Sequence, residues 1–456
     1  MANSCFEKPL VGMSTLSNLL LLDLSADPRD LVYLRRRYLK EGFSFLAKQL
    51  PKIDNFLVRS LSLGTIQKTD IGVSFTGALP RFLHGVFLTI FTRKGVLRPV
   101  TRTIARLVRK LRTFLNFFKK VEVPFREEEI SANIILQKEI EVENYLLPRP
   151  PEALSRRVSE YIGIIVGQPD DFYTEMSKLS SGTTSECLST LSDKLNGLHG
   201  WFSIIGDIYG YNGIYNPIAT RAVSSLELWN PQIDLQSRIT RSVNAIDAHR
   251  RNNPSRGIFV PKDSRGPRFI AAEPVVLGYA QQILLAFFNH RVGTLTSAVQ
   301  HRCTGSGQPI PGVNPHFGIS LDNQAINQGL VKSAHRFSLS SLDLKCASDR
   351  VTNKVVESVF PDWFFALLSL CQTTHIKFPD NSVIEKSRFA SMGSACTFPV
   401  LGLLCWSIIL ASRDEFLSTS DKVCFSHIVD SLSNEKFGIG VFGDDLIVPQ
   451  YLVDTV

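Results

Sequence analysis

The chain has no Cys-x-x-Cys pair: its eight cysteines lie far apart along 456 residues. That spacing excludes the usual structural zinc sites and the disulfide frameworks of small secreted domains, and a reducing cytosol fits best. Repeats and low-complexity segments are absent too, which excludes solenoids and collagen-like or disordered architectures. Long hydrophobic runs are scarce. The longest, "CTFPVLGLLCWSIILA" from Cys396 to Ala411, is interrupted by Pro, Gly and Ser and is short for a bilayer, so a buried helix is expected. The opening "MANSCFEKPLVGMSTLSNLLLLDLS" lacks a basic start and a small-residue cleavage signal, so no secretory peptide is expected. Acid is outnumbered: 50 Lys and Arg face 42 Asp and Glu, giving a net charge of +8 and a pI near 9.0. This balance favours polyanionic partners, nucleic acid or an acidic membrane surface. With 44% hydrophobic and 20% charged residues, the chain is a folded globular one, long enough for two to four domains.

Within "LRPVTRTIARLVRKLRTFLNFFKK" (97–120), Val100, Ile104, Leu107, Val108, Leu111, Leu115 and Phe118 recur at helical spacing. Arg98, Arg102, Arg106, Arg109 and Arg112 take the opposite side, so a basic amphipathic helix is predicted. A phosphate-contacting helix, a membrane-surface helix and a solvated charged face over ordinary core all satisfy that pattern. "LLPRPPEAL" (146–154) and "KLSSGTTSE" (178–186) read as connectors. "IYGYNGIYNP" (208–217) is a Tyr- and Gly-rich loop, suited to base stacking or to plain surface packing.

The chemistry-bearing segments follow Arg241. In "RGIFVPKDSRGPRFIAAEP" (256–274), Lys262, Arg265 and Arg268 are spaced along a mostly extended run. Three cations so spaced can surround a triphosphate, or simply be solvated. In "FSLSSLDLKCASDRVTNKVVESVF" (337–360), Leu342 and Leu344 share one strand face, so Asp343 projects to the other. Ser348 and Asp349 then open a helical pattern, where Asp349 could be no more than an N-cap. "THIKFPDNSVIEKSRF" reads as a hairpin about Pro-Asp-Asn-Ser. "ASMGSACTFPVLGLLCWSIILA" leads from a small-residue loop into an apolar helix. Gly393, Ser394 and Ala395 in that loop let a ligand approach the backbone. Last, "GIGVFGDDLIVPQ" (438–450) is a hairpin with Gly443 first in a two-residue type II′ turn. Asp444 and Asp445 stand at its tip between apolar runs. Two like charges beside such walls require a proton or a cation, unless the turn is merely exposed.

The order of these parts matters more than any one of them. A triphosphate-sized basic segment, a strand-borne acid, a glycine loop before a helix and an acid-tipped hairpin are what two-metal nucleotidyl transfer needs. Asp343 and Asp444 would clamp the metal ions and Asp445 would assist.

These residues resemble the fingers and palm motifs of viral RNA-dependent RNA polymerases, and most closely the replicase catalytic subunit of leviviruses, the positive-strand RNA bacteriophages. The motifs that carry the resemblance are "VPKDSRGPRFIAAEP", "SLDLKCASDR", "SMGSACTFPV" and "VFGDDLIVP", together with "ISLDNQAINQ" (319–328), which is similar to a stretch leviviral enzymes carry before the strand-borne acid. It covers about 256–449; the first 240 residues match only in general character.

The resemblance implies an α+β right-hand polymerase with an antiparallel palm sheet. It divides the chain into an N-terminal region (1–130), fingers (131–342) and palm (343–456), with the thumb and the rest of the palm expected to be missing after Val456. It further implies RNA-templated RNA synthesis from NTPs, with Asp343, Asp444 and Asp445 catalytic and binding two magnesium ions, manganese as their substitute. Lys262, Arg265 and Arg268 would face the NTP phosphates. Asp349 would read the ribose 2′-hydroxyl, and Ser391, Gly393, Ser394 and Thr397 would lie near ribose and template. Where well-known members have Asn-Gly after Met-Gly, this chain has Ser394 and Ala395, and Pro399 stands where an acid often does. Serine cannot reproduce a carboxamide's paired donor and acceptor. Implied partners are template and product RNA, host translation elongation factors and a ribosomal protein, in the cytoplasm of an infected bacterium; membrane association is not expected. The rivals are a reverse transcriptase, which Asp349 and "DNQAINQ" argue against, a non-catalytic RNA-binding remnant, and a membrane-remodelling role for 97–120.

Overall fold

A computed structural model describes residues 24–119, 127–172, 178–210, 235–263, 266–303, 317–344, 346–389, 391–417, 423–424, 428 and 438–456. By internal contacts the chain divides into two units, one of residues 1–133 with 259–268 and one of 134–258 with 269–456. The tip of the basic segment counts with the first unit.

The first unit is mostly helical: α1 (Pro28–Glu41), α2 (Leu50–Leu63), α3 (His84–Ile90) and α4 (Arg102–Leu115), with a small hairpin of β1 (Phe75–Thr76) and β2 (Leu79–Pro80). Its core is aromatic and leucine-rich, with Phe45, Phe87, Phe91 and Phe114 fully buried. The basic amphipathic helix is α4. Thr101 caps it by accepting from the Ile104 N–H at 3.2 Å, and Leu111, Phe114 and Leu115 face the core. It is shorter than the 97–120 pattern. Val100 lies outside it and is 70% exposed. Arg98, also outside, donates to the Leu88 and Phe91 carbonyls at 3.2 Å, and Arg112 pairs with buried Asp54 at 3.0 Å. Arg102, Arg106 and Arg109 remain on the exposed side.

The long α5 (Glu127–Leu146) is followed in the second unit by α6 (Glu152–Val166), α7 (Leu191–Leu198), α8 (Phe202–Tyr209), α9 (Leu235–Asn252) and α10 (Val275–Cys303). Next come α11 (Ala325–Phe337), α12 (Ala347–Arg350), α13 (Asn353–Val359), α14 (Asp362–Leu370) and α15 (Thr397–Phe416). The Pro-rich stretch after Leu146 does connect two helices, because proline fits the first turn but not a helix interior. The loop 208–217 lies mostly outside the described residues.

A four-stranded sheet runs in the order β4-β3-β6-β7, with β3 Ser255–Asp263, β4 Gly266–Ala272, β6 His375–Lys377 and β7 Val383–Glu385. β6 and β7 form the expected antiparallel hairpin, closed by Asn381 at φ +64°. A three-stranded antiparallel sheet, in the order β5-β9-β8, joins β5 (Leu339–Asp343), β9 (Asp445–Pro449) and β8 (Gly440–Phe442). The class is therefore mixed α+β.

The three-stranded sheet is covered on both faces, which explains its unbroken apolar runs. Val441, Leu446 and Val448 belong to the main core with α15, while Leu339 and Ile447 pack with Leu330 of α11 on the other side. Helix α15 is long and apolar enough to cross a bilayer, yet 83% of its apolar window is buried in the protein. Trp406 at its centre is fully buried and donates its indole N–H to the Phe317 carbonyl at 2.9 Å.

Candidate active site

The acid-tipped hairpin is tight because a glycine permits it. Gly443 has φ +63°, while Asp444 is not among the positive-φ residues, as a type II′ turn demands. A Cβ on Gly443 would meet the Phe398 ring at 2.4 Å. That ring, from α15, also packs edge-on against Phe442 with centroids 4.8 Å apart. The turn thus rests on an aromatic floor.

Register then brings the acids together. Leu342 pairs with Leu446, and Asp343 falls directly opposite Asp445. Side chains of directly opposed residues share a face, with Cβ atoms roughly 4.5–5.5 Å apart. Asp444 follows at the tip, half-buried, whereas Asp343 and Asp445 are exposed. Asp444 also faces towards α15, where burial, and then its negative charge, push the Cys405 thiol up to about 12.

A brace supports this pair from outside the strands. Gln324, just before α11, donates to the Asp445 carboxylate at 2.9 Å, and Asn327 donates to the Asp445 carbonyl at 2.8 Å. Gly440 leaves room for the same helix: a Cβ there would meet Asn327 Oδ1 and Leu330 Cδ1 at 2.6 Å. The stretch 319–328 therefore holds the hairpin's second acid. Its sequence was visible, but its contact with Asp445 was not.

Among the described residues, no three His, Cys, Asp or Glu side chains form a ready-made metal cage. The donors present are an opposed carboxylate pair and a tip carboxylate, with one neutral amide donor on Asp445 and no donor or cation on Asp343 or Asp444 among the described residues. That set suits magnesium, which keeps waters and takes one or two carboxylates with substrate phosphates rather than a closed protein cage. Opposed like charges also favour a cation between them.

The small-residue loop is pinned to β4. Gly393 has φ +110°, and a Cβ there would lie 2.5 Å from the Ala271 carbonyl oxygen. The Ala271 N–H donates to the Met392 carbonyl at 2.8 Å. Thr397 Oγ1 donates to the Ser391 carbonyl at 2.5 Å, while the fully buried Ser391 hydroxyl has no partner among the described residues. Ser394 is turned inward, 7% exposed, and its oxygen accepts from the Cys396 N–H at 3.3 Å. The Ala395 N–H donates to Gln281 on α10 at 3.1 Å.

Asp349 is no N-cap. It lies within α12, whose cap position is Cys346, and its Oδ1 accepts from Arg388 at 2.6 Å. Burial, offset in part by Arg388, raises its carboxyl above the ordinary value. Arg388 is wholly buried and also pairs with Glu141 of α5. Sequence reasoning missed Arg388, Glu141, Gln324 and Phe398, and for Glu141, some 250 residues from its partner, no local pattern signals the contact.

Of the basic segment, Arg265 and the side chain of Lys262 lie outside the described residues. Arg268 stands on β4, partly buried, its Nε without a partner among the described residues.

Residues 305–456 match the family model of the RNA replicase beta-chain. The chain is 26% identical over 202 residues to the RNA-directed RNA polymerase beta chain of Enterobacteria phage fr, covering 44% of this chain and 30% of that one. It is 26% identical over 202 residues to that of Escherichia phage MS2, with the same coverage. With the RNA-directed RNA polymerase subunit beta of Escherichia virus Qbeta it shares 30% identity over 206 residues, 44% of this chain and 28% of that one. The chain thus spans under a third of the length of the curated relatives it matches. Over residues 305–456, which carry Asp343, the Gly393 loop and the acid-tipped hairpin, this chain is similar to the RNA replicase beta-chain family.

Proposed function

We propose that this chain carries the nucleotidyl-transfer centre of an RNA-templated RNA polymerase, acting in viral genome replication in the cytoplasm of an infected bacterium. The observation that carries the reading is the register that sets Asp343 opposite Asp445 beside the Asp444 turn. The names of the relatives support the same activity.

In this reading the three-stranded sheet with α11 and α15 is the palm of a right-hand polymerase, and the segments before it supply the fingers. Asp343, Asp444 and Asp445 would hold two magnesium ions, or manganese, which when bound would lower the barrier to attack by an RNA 3′-hydroxyl and stabilise the departing charge. The 3′-hydroxyl gives its proton to solvent as its oxygen bonds the α-phosphorus. The bond to the β-phosphate's bridging oxygen breaks, and pyrophosphate leaves with that electron pair. Gln324 and Asn327 keep Asp445 in place during this exchange. Lys262, Arg265 and Arg268 offset charge on the triphosphate. Asp349 and the 391–397 loop select the ribose. Template and product RNA and NTPs are the partners, with host translation elongation factors and a ribosomal protein as further subunits.

The test is magnesium-dependent incorporation of labelled nucleotides on a short RNA template, with those host proteins present, comparing the chain with Asp444→Ala. Complementary RNA from the first and none from the second supports the reading. Binding of RNA without incorporation by either overturns it in favour of an RNA-binding role.

A further inference from the structure

Among the described residues the largest fully buried charged side chain, Arg388, lies outside the motifs that carry the resemblance. Arg388 follows β7, three residues before the glycine loop, and its side chain is fully buried. It has one face on α5 and one on α12. Its Nε donates to Glu141 Oε1, and its Nη1 donates both to Gln137 Oε1 at 2.9 Å and to Asp349 Oδ1 at 2.6 Å. Its Nη2 reaches the Gln137 carbonyl at 3.3 Å.

The surroundings fix this guanidinium rather than merely accept it. The Glu141 carboxylate also accepts the Ser387 N–H at 2.8 Å and the Arg388 N–H at 3.1 Å. Behind Asp349, Asn144 donates to its carbonyl at 2.6 Å, and the Phe389 N–H donates to the Val351 carbonyl at 2.8 Å. Both the carboxyl and its backbone are therefore clamped between α5 and the strand leading to the glycine loop.

The charge count gives the clamp a direction. Glu141 already balances Arg388, so Asp349 brings a second carboxylate to a single buried cation. Its Oδ1 is used, and among the described residues nothing donates to its Oδ2. That side chain is 21% exposed, so its second oxygen is free to accept a hydrogen bond from water or from a ligand hydroxyl. A ribose 2′-hydroxyl is such a donor; a deoxyribose offers none at that carbon. Ser394 is a poor competitor for the role, since it is turned inward and only 7% exposed.

We propose that Arg388, held by Glu141 and Gln137, is the positioning residue for ribose selection, aiming the second oxygen of Asp349 at the 2′-hydroxyl of the incoming nucleotide. This rests on the polymerase reading above. Discrimination between NTP and dNTP then resides in the Arg388–Asp349 pair and not in the serine of the glycine loop.

The experiment measures kcat/KM for NTP and for the matching dNTP on one RNA template. It compares the full chain, Arg388→Gln, Arg388→Lys, Asp349→Ala and the Arg388→Gln/Asp349→Ala double variant, with thermal melting of each. Misplacing a polar contact by about 1 Å costs on the order of a hundredfold. Arg388→Gln is accordingly expected to lower the NTP/dNTP ratio by about ten- to a hundredfold, chiefly through slower NTP use, with partial recovery in Arg388→Lys. In the Asp349→Ala background the same change should leave the ratio where it is. A ratio unmoved by Arg388→Gln, or one lowered equally in both backgrounds, overturns the proposal. Should Arg388→Gln fail to fold, Gln137→Met, which removes one acceptor from the same nitrogen, is read instead and must shift the ratio in the same direction or the proposal falls. Absence of any incorporation by the unmodified chain would refute the polymerase reading itself, a separate outcome.

Discussion

Replacing Gly393 by alanine adds one carbon at the most crowded point of the glycine loop. The new Cβ would stand 2.5 Å from the Ala271 carbonyl oxygen, 2.8 Å from Ile270 Cγ2 and 3.1 Å from the Ala271 carbonyl carbon. Two of these three atoms are backbone, and Ala271 is tied to the loop by its own N–H to Met392. Neither side can swing away as a side chain would. The φ of +110° adds backbone strain, about 1–3 kcal/mol for a non-glycine residue. Overpacking adds about 1–3 kcal/mol. A loss of roughly 2–6 kcal/mol is a large part of the roughly 5–15 kcal/mol that holds a domain together. Urea denaturation followed by tryptophan fluorescence reads it, since Trp406 lies in the core of the helix that the loop enters. Gly278→Ala is the internal control: it lies in α10 with nothing within 4 Å of its Cβ, and helix propensity predicts a gain of up to about 1 kcal/mol. If Gly393→Ala unfolds within about 0.5 kcal/mol of the unmodified chain, the ordinary scatter of surface changes, the loop is not held against β4 as described.

Two further outcomes follow from the carboxylates. Asp343→Asn removes one of two opposed like charges, so in chelator its melting temperature should rise by the equivalent of about 0.2–1 kcal/mol. The stabilisation that magnesium gives the unmodified chain should be lost, and an equal magnesium response in both would refute the paired site. Asp349→Asn tests burial against function. A carboxyl whose folded pKa lies above its unfolded value binds its proton more tightly in the fold, so ionised Asp349 costs stability at neutral pH. The cost fades as pH falls through the folded pKa and is gone below the unfolded value. Asp349→Asn should therefore melt no lower than the unmodified chain at pH 7, with any advantage shrinking on acidification, while its NTP/dNTP ratio drops. A variant that melts several degrees lower at pH 7 would show that the carboxylate's attraction to Arg388 outweighs its burial.

Local pattern was legible and distant contact was not. Period-two alternation placed Asp343 on β5, the Gly-Asp pair placed the II′ turn, and Pro-Asp-Asn-Ser placed the β6/β7 hairpin, because each depends on backbone preferences within a few residues. The 97–120 pattern overran its helix at both ends. Thr101 is a side-chain cap, and a cap stops a helix where hydrophobic spacing alone would extend it. The same limit applied to Asp349: carboxylates at a helix start so often cap that the local reading was reasonable, yet Arg388, 39 residues on, decides its role. Nothing in a sequence marks which arginine will be buried. Lys262, Arg265 and Arg268 stand out by their spacing and by the family resemblance, and of the three only Arg268 has a described side chain.

The acid centre depends on elements that its own strands do not supply. A three-stranded sheet with strands of three to five residues is near the lower limit of independent stability, and a pair of opposed carboxylates at its end lowers that stability further. The remedy is visible on both faces. Phe398 fills the space under Gly443, and Asn327 and Leu330 fill the space over Gly440, so Gly440 and Gly443 are each matched to side chains from a different helix. Larger residues at either position would push a helix away from the acids rather than simply crowd the turn. Gln324 then adds the one polar contact among the described residues that reaches a carboxylate of the pair, and it does so with a neutral amide, which steadies Asp445 without neutralising it. A lysine in its place would satisfy the same oxygen but cancel the charge that draws in a divalent cation. The neutral brace is thus the arrangement that keeps a strained acidic hairpin in position and still leaves its charge available.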